Sequence, residues 1–361
     1  MSARPRIASL ALLAAVGAAC SSIGDPGGMP EGNPHGGTGA FRPLERDETG
    51  IAGAVPGRAI VLRDQAVESA MAVDGYLFYV SAPLLDEPPE VPEDHPAGAI
   101  YEPAFGPPII RRGESREEGI GAFDFGPEVL AASEPWEGGA VRDPWVFVDE
   151  DGSAHLYYAA AEGIGVAEAP SVDGTFEKLP GPVLSAADLV GGAPPRRPSV
   201  VRGPDGAILM YLSVGDEIRV ARSEDGRRFE VLQGPAFAHA PGEEDEGESP
   251  EVAMIHPGAV RVETRAERTL VRLYFESVRE DGTRTIYVAG SEDGVGVVRH
   301  PRPVVELPDV RFPSPVLLDD RLTLLYASLP ATSGDYQTRA VSVSVGPAGQ
   351  RFAPEDESAT P

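Results

Sequence analysis

The chain holds one cysteine in 361 residues, Cys20, so no disulfide can form within it. Basic side chains are scarce: 30 Lys and Arg stand against 57 Asp and Glu, a net charge of −27. Such a surface repels phosphate backbones and excludes nucleic acid as a partner, and it argues against docking on anionic lipid through a basic face. The six histidines are scattered, without the spacing of a metal-ligand cluster. There is no phosphate-cradling glycine motif at a strand-to-helix turn and no serine nucleophile elbow. Beyond the N-terminus, no apolar run is long enough to cross a bilayer. What is plentiful is glycine, 42 residues, and proline, 37. Both are costly in long helices and at home in short strands joined by many turns. Apolar residues make up 42%, enough for a core.

The N-terminus has its own logic. Arg4 and Arg6 precede an apolar stretch over 7–19, thirteen residues long, too short to span a membrane and suited to a signal-peptide core. Gly17-Ala18-Ala19 then lead into Cys20, which resembles a bacterial lipoprotein signal with Gly17 in place of the usual aliphatic residue. The resemblance implies removal of residues 1–19, lipidation of Cys20, and export to the cell envelope, at the outer membrane in a Gram-negative cell. The membrane is then a partner through the lipid anchor only. The other reading is ordinary cleavage after Ala19, leaving a free thiol. Residues 20–55, poor in large apolar side chains, are expected to be a flexible linker, and residues 349–361 a disordered tail.

Between them, over 56–348, a pattern repeats. Its clearest copy runs Asp143-Pro144-Trp145-Val146-Phe147, Asp151-Gly152, Leu156-Tyr157-Tyr158-Ala159, Ile164-Gly165-Val166-Ala167, Asp173-Gly174. Later copies open at Arg197-Pro198, His256-Pro257 and Phe312-Pro313, and a divergent earlier copy opens near Glu68-Ser69-Ala70. Successive opening prolines lie 54, 59 and 56 residues apart, room for four short strands and their turns. That period predicts an all-β fold, a five-bladed β-propeller of four-stranded blades. The strand over 58–62 is expected to complete the last blade, so that both chain ends close the ring. A β-sandwich is the competing architecture.

The innermost strand of each propeller blade faces a central channel. Equivalent positions therefore converge, and the repeat predicts a ring of Glu68, Asp143, Arg197, His256 and Phe312. Arg142-Asp143-Pro144, followed by Asp-Gly and a Tyr-Tyr strand, resembles the second blade of five-bladed glycoside hydrolases of families 43 and 32, which include arabinanases, xylosidases and fructosidases. The stretch from Ile218 to Gly226 is similar to theirs too, and the likeness spans roughly 58–347.

The resemblance implies a carbohydrate partner and three catalytic acids, one from each of the first three blades. Asp143 matches the second. Glu68 stands at the first as Glu rather than Asp. The third position carries Arg197, where the family has a proton-donating Glu. Glu276 is the candidate substitute acid, since the other copies have small or apolar residues there; alternatively it pairs with an arginine such as Arg272. The resemblance also implies a candidate calcium ion near His256, which otherwise is a hydrogen-bonded packing residue. Trp145 and Phe312 are candidate sugar-stacking aromatics or blade-packing residues, and Arg197 a candidate substrate contact. Two functions stay open: a glycosidase, and a non-catalytic glycan- or protein-binding propeller.

Overall fold

The structure, a computed structural model, describes residues 42–43, 65–83, 107–115, 123–124, 126–190, 192–232, 234–236, 249–263, 269–299, 303–304, 310–318, 321–328, 337–345 and 352–353. The strands form five antiparallel sheets. The first holds Gln65–Val73, Tyr76–Pro83, Ile109–Ser115 and Phe123–Asp124, with Glu128–Leu130 on the third of these; the second holds Arg142–Val148, Ala154–Ala159, Gly163–Ala169 and Glu177–Lys178, with Leu184–Ser185 on its third. The third sheet is Arg196–Arg202, Ile208–Val214, Glu217–Ser223 and Glu230–Val231, and the fourth is Glu251–Glu263, Thr269–Arg279, Arg284–Ser291 and Val298–Arg299. The fifth is Val310–Leu318, Arg321–Ser328 and Gln337–Val345, joined by Arg42–Pro43 and Phe352–Ala353. The first strand of each sheet touches that of the next, and the fifth touches the first. This is an all-β propeller of four-stranded sheets, with the first strands innermost.

Sandwiching between neighbours explains the burial. Ala154–Ala159 and Ile208–Val214 are buried at every residue, without the in-out alternation of a half-exposed strand. Two segments differ from expectation. Arg42 and Pro43, within the expected linker, pair with Ser342 and Val341, and Phe352 and Ala353, within the expected tail, pair with Val345 and Ser344. The outer strand Gln337–Val345 would otherwise present unpaired N–H and C=O groups, and these short segments cover part of that edge. The strand expected over 58–62 lies outside the described residues.

The innermost strands share an irregularity. In four sheets the register skips two residues: between Arg142 and Trp145, Arg196 and Ser199, Ile255 and Gly258, and Arg311 and Ser314. The first skipped residue is left-handed every time, with φ of 55° at Asp143, 54° at Arg197, 53° at His256 and 59° at Phe312. The second is always a proline, which has no N–H for the ladder and is tolerated where the ladder breaks. Left-handed backbone costs a residue with a Cβ about 1–2 kcal/mol. In return, the bulge turns four side chains toward one point.

Adjacent sheets are tied by tyrosines. The Tyr157 hydroxyl donates to the Gly226 carbonyl of the third sheet at 2.8 Å, and the Tyr211 hydroxyl to the Gly294 carbonyl of the fourth at 2.5 Å. Both glycines end Ser-x-Asp-Gly turns at positive φ, 71° and 76°. The Ser and Asp side chains lock these turns; Asp293, for example, accepts the Val295 and Gly296 N–H groups at 2.8 Å each. The first sheet has Phe78 packed edge-on against Phe176, and Arg112 reaches the matching turn instead, donating to the Val172 and Gly174 carbonyls at 2.7 and 2.9 Å. Tyr211→Phe should lower unfolding free energy by about 1 kcal/mol in urea titration, as the loss of one buried hydrogen bond requires. Gly294→Ala should cost more, because its Cβ would lie 2.2 Å from Leu209 Cδ1 at a φ that disfavours it. An unchanged midpoint for both variants would mean that the tie does not couple the sheets.

Candidate functional site

The bulges put their side chains around one small pocket at the end of the innermost strands. Asp143, Arg197, His256 and Phe312 line it with the prolines that follow them, Ala70, Met71, Trp145 and Ser314. Its volume is about 30 Å³, whereas sites that enclose a small organic ligand run to several hundred. The side chains themselves fill the mouth. Arg197 Nε donates to Asp143 Oδ1 at 2.9 Å, and its guanidinium lies 3.6 Å from the centroid of the Phe312 ring. The Phe312 ring in turn packs against His256, centroid to centroid 4.9 Å. Asp143 is 8% exposed and its partner 16%, so the pair is largely out of water. Removing one member of such a pair typically costs 3–5 kcal/mol.

Glu276, the ladder partner of Ile255 just before the bulge, is fully buried. Its arginine partner is Arg284 rather than Arg272. Glu276 Oε1 meets His256 Nδ1 at 2.5 Å and accepts the Phe312 N–H at 2.5 Å, while Oε2 accepts Arg284 Nη1 at 2.9 Å. Neighbouring sheets are stitched at this level by serines: Ser213 Oγ accepts the His256 N–H, and Ser199 Oγ the Ala259 N–H, each at 2.7 Å. With no exposure and bonds to His256, the Phe312 N–H and Arg284, Glu276 does not reach a substrate as a proton donor must. It fixes His256 and the Phe312 bulge.

The other expected residues fall as follows. Glu68 is opposite Val80, level with Arg142, Arg196, Ile255 and Arg311, and thus one residue short of the ring. The first sheet's bulge is the single residue Ser69, since this copy lacks the proline that makes the others two residues long. The Glu68 side chain lies outside the described residues. Trp145 lines the pocket but is 7% exposed, and its Nε1 donates to the Val200 carbonyl at 2.8 Å, which makes it a packing residue between the second and third sheets. Trp136, on the short turn before the second sheet, stacks on Tyr158 and is also buried.

No group of three His, Cys, Asp or Glu able to hold a metal occurs among the described residues. Calcium takes six to eight oxygen ligands. His256 gives Nδ1 to Glu276 and Asp143 accepts from Arg197, so these residues do not fit the calcium site expected beside His256.

Sequence reasoning missed Arg284 and the two serines. A clue to Arg284 was present: a charged residue across a tight hairpin from an out-of-place glutamate. It also missed Glu137, at the end of the short 3-10 turn Pro135–Glu137 that precedes the second sheet. Glu137 is fully buried and accepts from Lys178 Nζ at 2.6 Å, the Tyr158 hydroxyl at 2.8 Å, and the Ser133 and Glu134 N–H groups at 2.6 and 2.9 Å. Burial pushes its carboxyl pKa up, but the Lys178 ammonium and the donated hydrogen bonds outweigh it and hold the group below the ordinary range.

Solved structures share this architecture, three of them as follows. One is a thermostable family-43 glycoside hydrolase, at TM-score 0.54 and 12% identity, with 84% of this chain and 100% of that one covered. Another is the Cellvibrio cellulosa α-L-arabinanase complexed with arabinohexaose, at 0.51 and 12%, covering 80% and 92%. A third is a family-43 enzyme from Xanthomonas citri complexed with xylotriose, at 0.51 and 18%, covering 84% and 95%. The fold is a glycoside hydrolase-like β-propeller. At these identities the likeness carries the fold alone, as fold and chemistry separate freely. No protein-family model matches the chain, and no curated protein sequence does.

The Glu137 cluster makes a pH prediction. A carboxyl whose folded pKa lies below its unfolded value of about 4.5 adds stability above that value and loses it as pH falls toward the folded pKa. Wild type should therefore exceed Glu137→Gln in unfolding free energy at pH 7, and the gap should narrow as pH drops below about 4.5. A gap constant from pH 7 to pH 3 would refute a depressed Glu137 pKa.

Proposed function

We propose that the five sheets are the five blades of one closed ring, and that this glycoside hydrolase-like propeller binds a carbohydrate at its mouth without cleaving it through a carboxylate pair. The Arg197–Asp143 pair carries the reading. Glycoside hydrolysis needs two carboxyl groups flanking the bond, one protonated and able to donate. Here Asp143 is bonded to Arg197 under the Phe312 ring, and Glu276 has both oxygens engaged. Neither is free to act as the donor. The mouth instead offers what sugar binding uses: an aromatic ring, a guanidinium and a carboxylate set together on rigid strands. The similar folds complexed with arabinohexaose and xylotriose add support for a saccharide ligand.

Asp143 lining the pocket, in the Arg-Asp-Pro setting, is the observation that favours a hydrolase, and turnover separates the two. The full chain should bind a panel of plant and microbial oligosaccharides in calorimetry, release no reducing ends from them, and lose affinity in Phe312→Ala with its circular dichroism unchanged. Reducing-end release abolished by Asp143→Ala would replace the binding reading with a hydrolase.

We also propose that Cys20 carries a lipid that holds the propeller at the cell envelope. Cys20→Ser should move the protein from the membrane fraction to the soluble fraction after export. Persistent membrane association of that variant would sink the anchor.

A further inference from the structure

The pocket at the mouth presents two polar groups that the described residues do not answer. His256 lines it with its side chain 20% exposed. Its Nδ1 faces Glu276 Oε1, an oxygen that already accepts the Phe312 N–H. The carboxylate therefore takes the hydrogen of Nδ1, and in the neutral ring Nε2 carries the lone pair. Nε2 makes no hydrogen bond with any described residue. Ser314 Oγ lines the same pocket, with its residue 4% exposed, and has no hydrogen-bond partner among the described residues. Buried polar groups are ordinarily paired, so an unpaired one beside a cavity points to a partner from outside the chain. Glu276 also holds Arg284, which fixes the carboxylate and through it the imidazole, so Glu276 is a positioning residue for Nε2.

Size and chemistry narrow the occupant. The space is about 30 Å³, enough for a water-sized group and far too little for a sugar ring. An anion would meet the Nε2 lone pair, and a chain of charge −27 repels it from a distance. A cation would stand beside the Arg197 guanidinium in the same pocket. An apolar group would leave both Nε2 and Oγ unmet. A hydroxyl donates to Nε2 and accepts from Oγ at once.

We propose that this pocket is a receptor for one sugar hydroxyl, which donates to His256 Nε2 and accepts from Ser314 Oγ while the ring that carries it stays outside. This rests on the carbohydrate-binding reading above and gives it a mode: the saccharide is taken by a terminal residue. A sugar inside a chain has a neighbour on both sides, and the walls of a narrow pocket obstruct both. A terminal sugar has one side free to point a hydroxyl inward. The mouth then reads chain ends rather than chain interiors.

The test is calorimetry on the full chain with xylotriose and arabinohexaose, each compared with two capped forms. One is the methyl glycoside, which blocks the reducing end; the other is O-methylated on its non-reducing terminal residue. At least one cap should weaken binding by about tenfold or more, because it removes the donated hydrogen and overfills the space. The damaging cap identifies the end that is read. Ser314→Ala and His256→Asn should each shrink that penalty to about threefold or less. Asparagine keeps an N–H toward Glu276, tolerates the left-handed φ of 53° at this position, and places no acceptor where Nε2 stands. Ser314→Ala deletes an unpaired hydroxyl and should not lower the urea midpoint, so it tests the site even where the asparagine variant does not fold. Equal affinity for capped and uncapped forms would overturn the terminal-hydroxyl inference and leave carbohydrate binding standing. A cap penalty undiminished in a folded variant would overturn that residue's part in the receptor. No binding of either uncapped oligosaccharide would bring down the carbohydrate reading and this inference with it.

Discussion

The left-handed residue ahead of a proline is the constraint on which the rest of the site depends. A regular strand would send Asp143, Arg197, His256 and Phe312 alternately into one packed face or the other. The two-residue bulge instead breaks the ladder where proline has nothing to donate, and turns the preceding side chain out of the sheet. Four strands do this at the same level, so four side chains from four sheets meet within contact distance. The charge pairing, the ring stacking and the small volume of the pocket follow from that convergence.

Once assembled, the convergence is self-limiting. Arg197 occupies Asp143 and lies flat on Phe312, Phe312 leans on His256, and His256 shares Glu276 with Arg284. Every link runs between different sheets or across a hairpin, so the network braces the ring as well as filling its mouth. The backbone resembles that of enzymes that cleave glycosidic bonds, yet one arginine at the third bulge redirects the only carboxylate that lines the pocket among the described residues into an ion pair. The scaffold and the chemistry it hosts are separable in a visible way.

Much of this was legible in the sequence, because a repeat converts linear spacing into spatial equivalence. The Xaa-Pro openings at 143, 197, 256 and 312 located four ring residues correctly, since each proline marks its own bulge. Glu68 was misplaced by one because its copy has no proline to mark the bulge, and the register there shifts by a single residue. Glu276 was legible as an anomaly, but its partners were not. His256 reaches it across a ladder pair displaced by the bulge, and Arg284 across a hairpin. The Glu137 cluster left no repeat signature, since it belongs to the connection into the second sheet rather than to a blade.

The bulges also set the mouth and the scaffold at odds. Glycine would relieve the backbone at each of the four positions, and asparagine would relieve part of it, because both tolerate left-handed φ better than Asp, Arg, His or Phe. The side chains that give the pocket its character are therefore the ones the isolated backbone would most readily exchange. A laboratory selection of this protein for thermal resistance alone would tend to bleach the mouth of its charge and aromatic surface, yielding a sturdier ring with nothing to recognise.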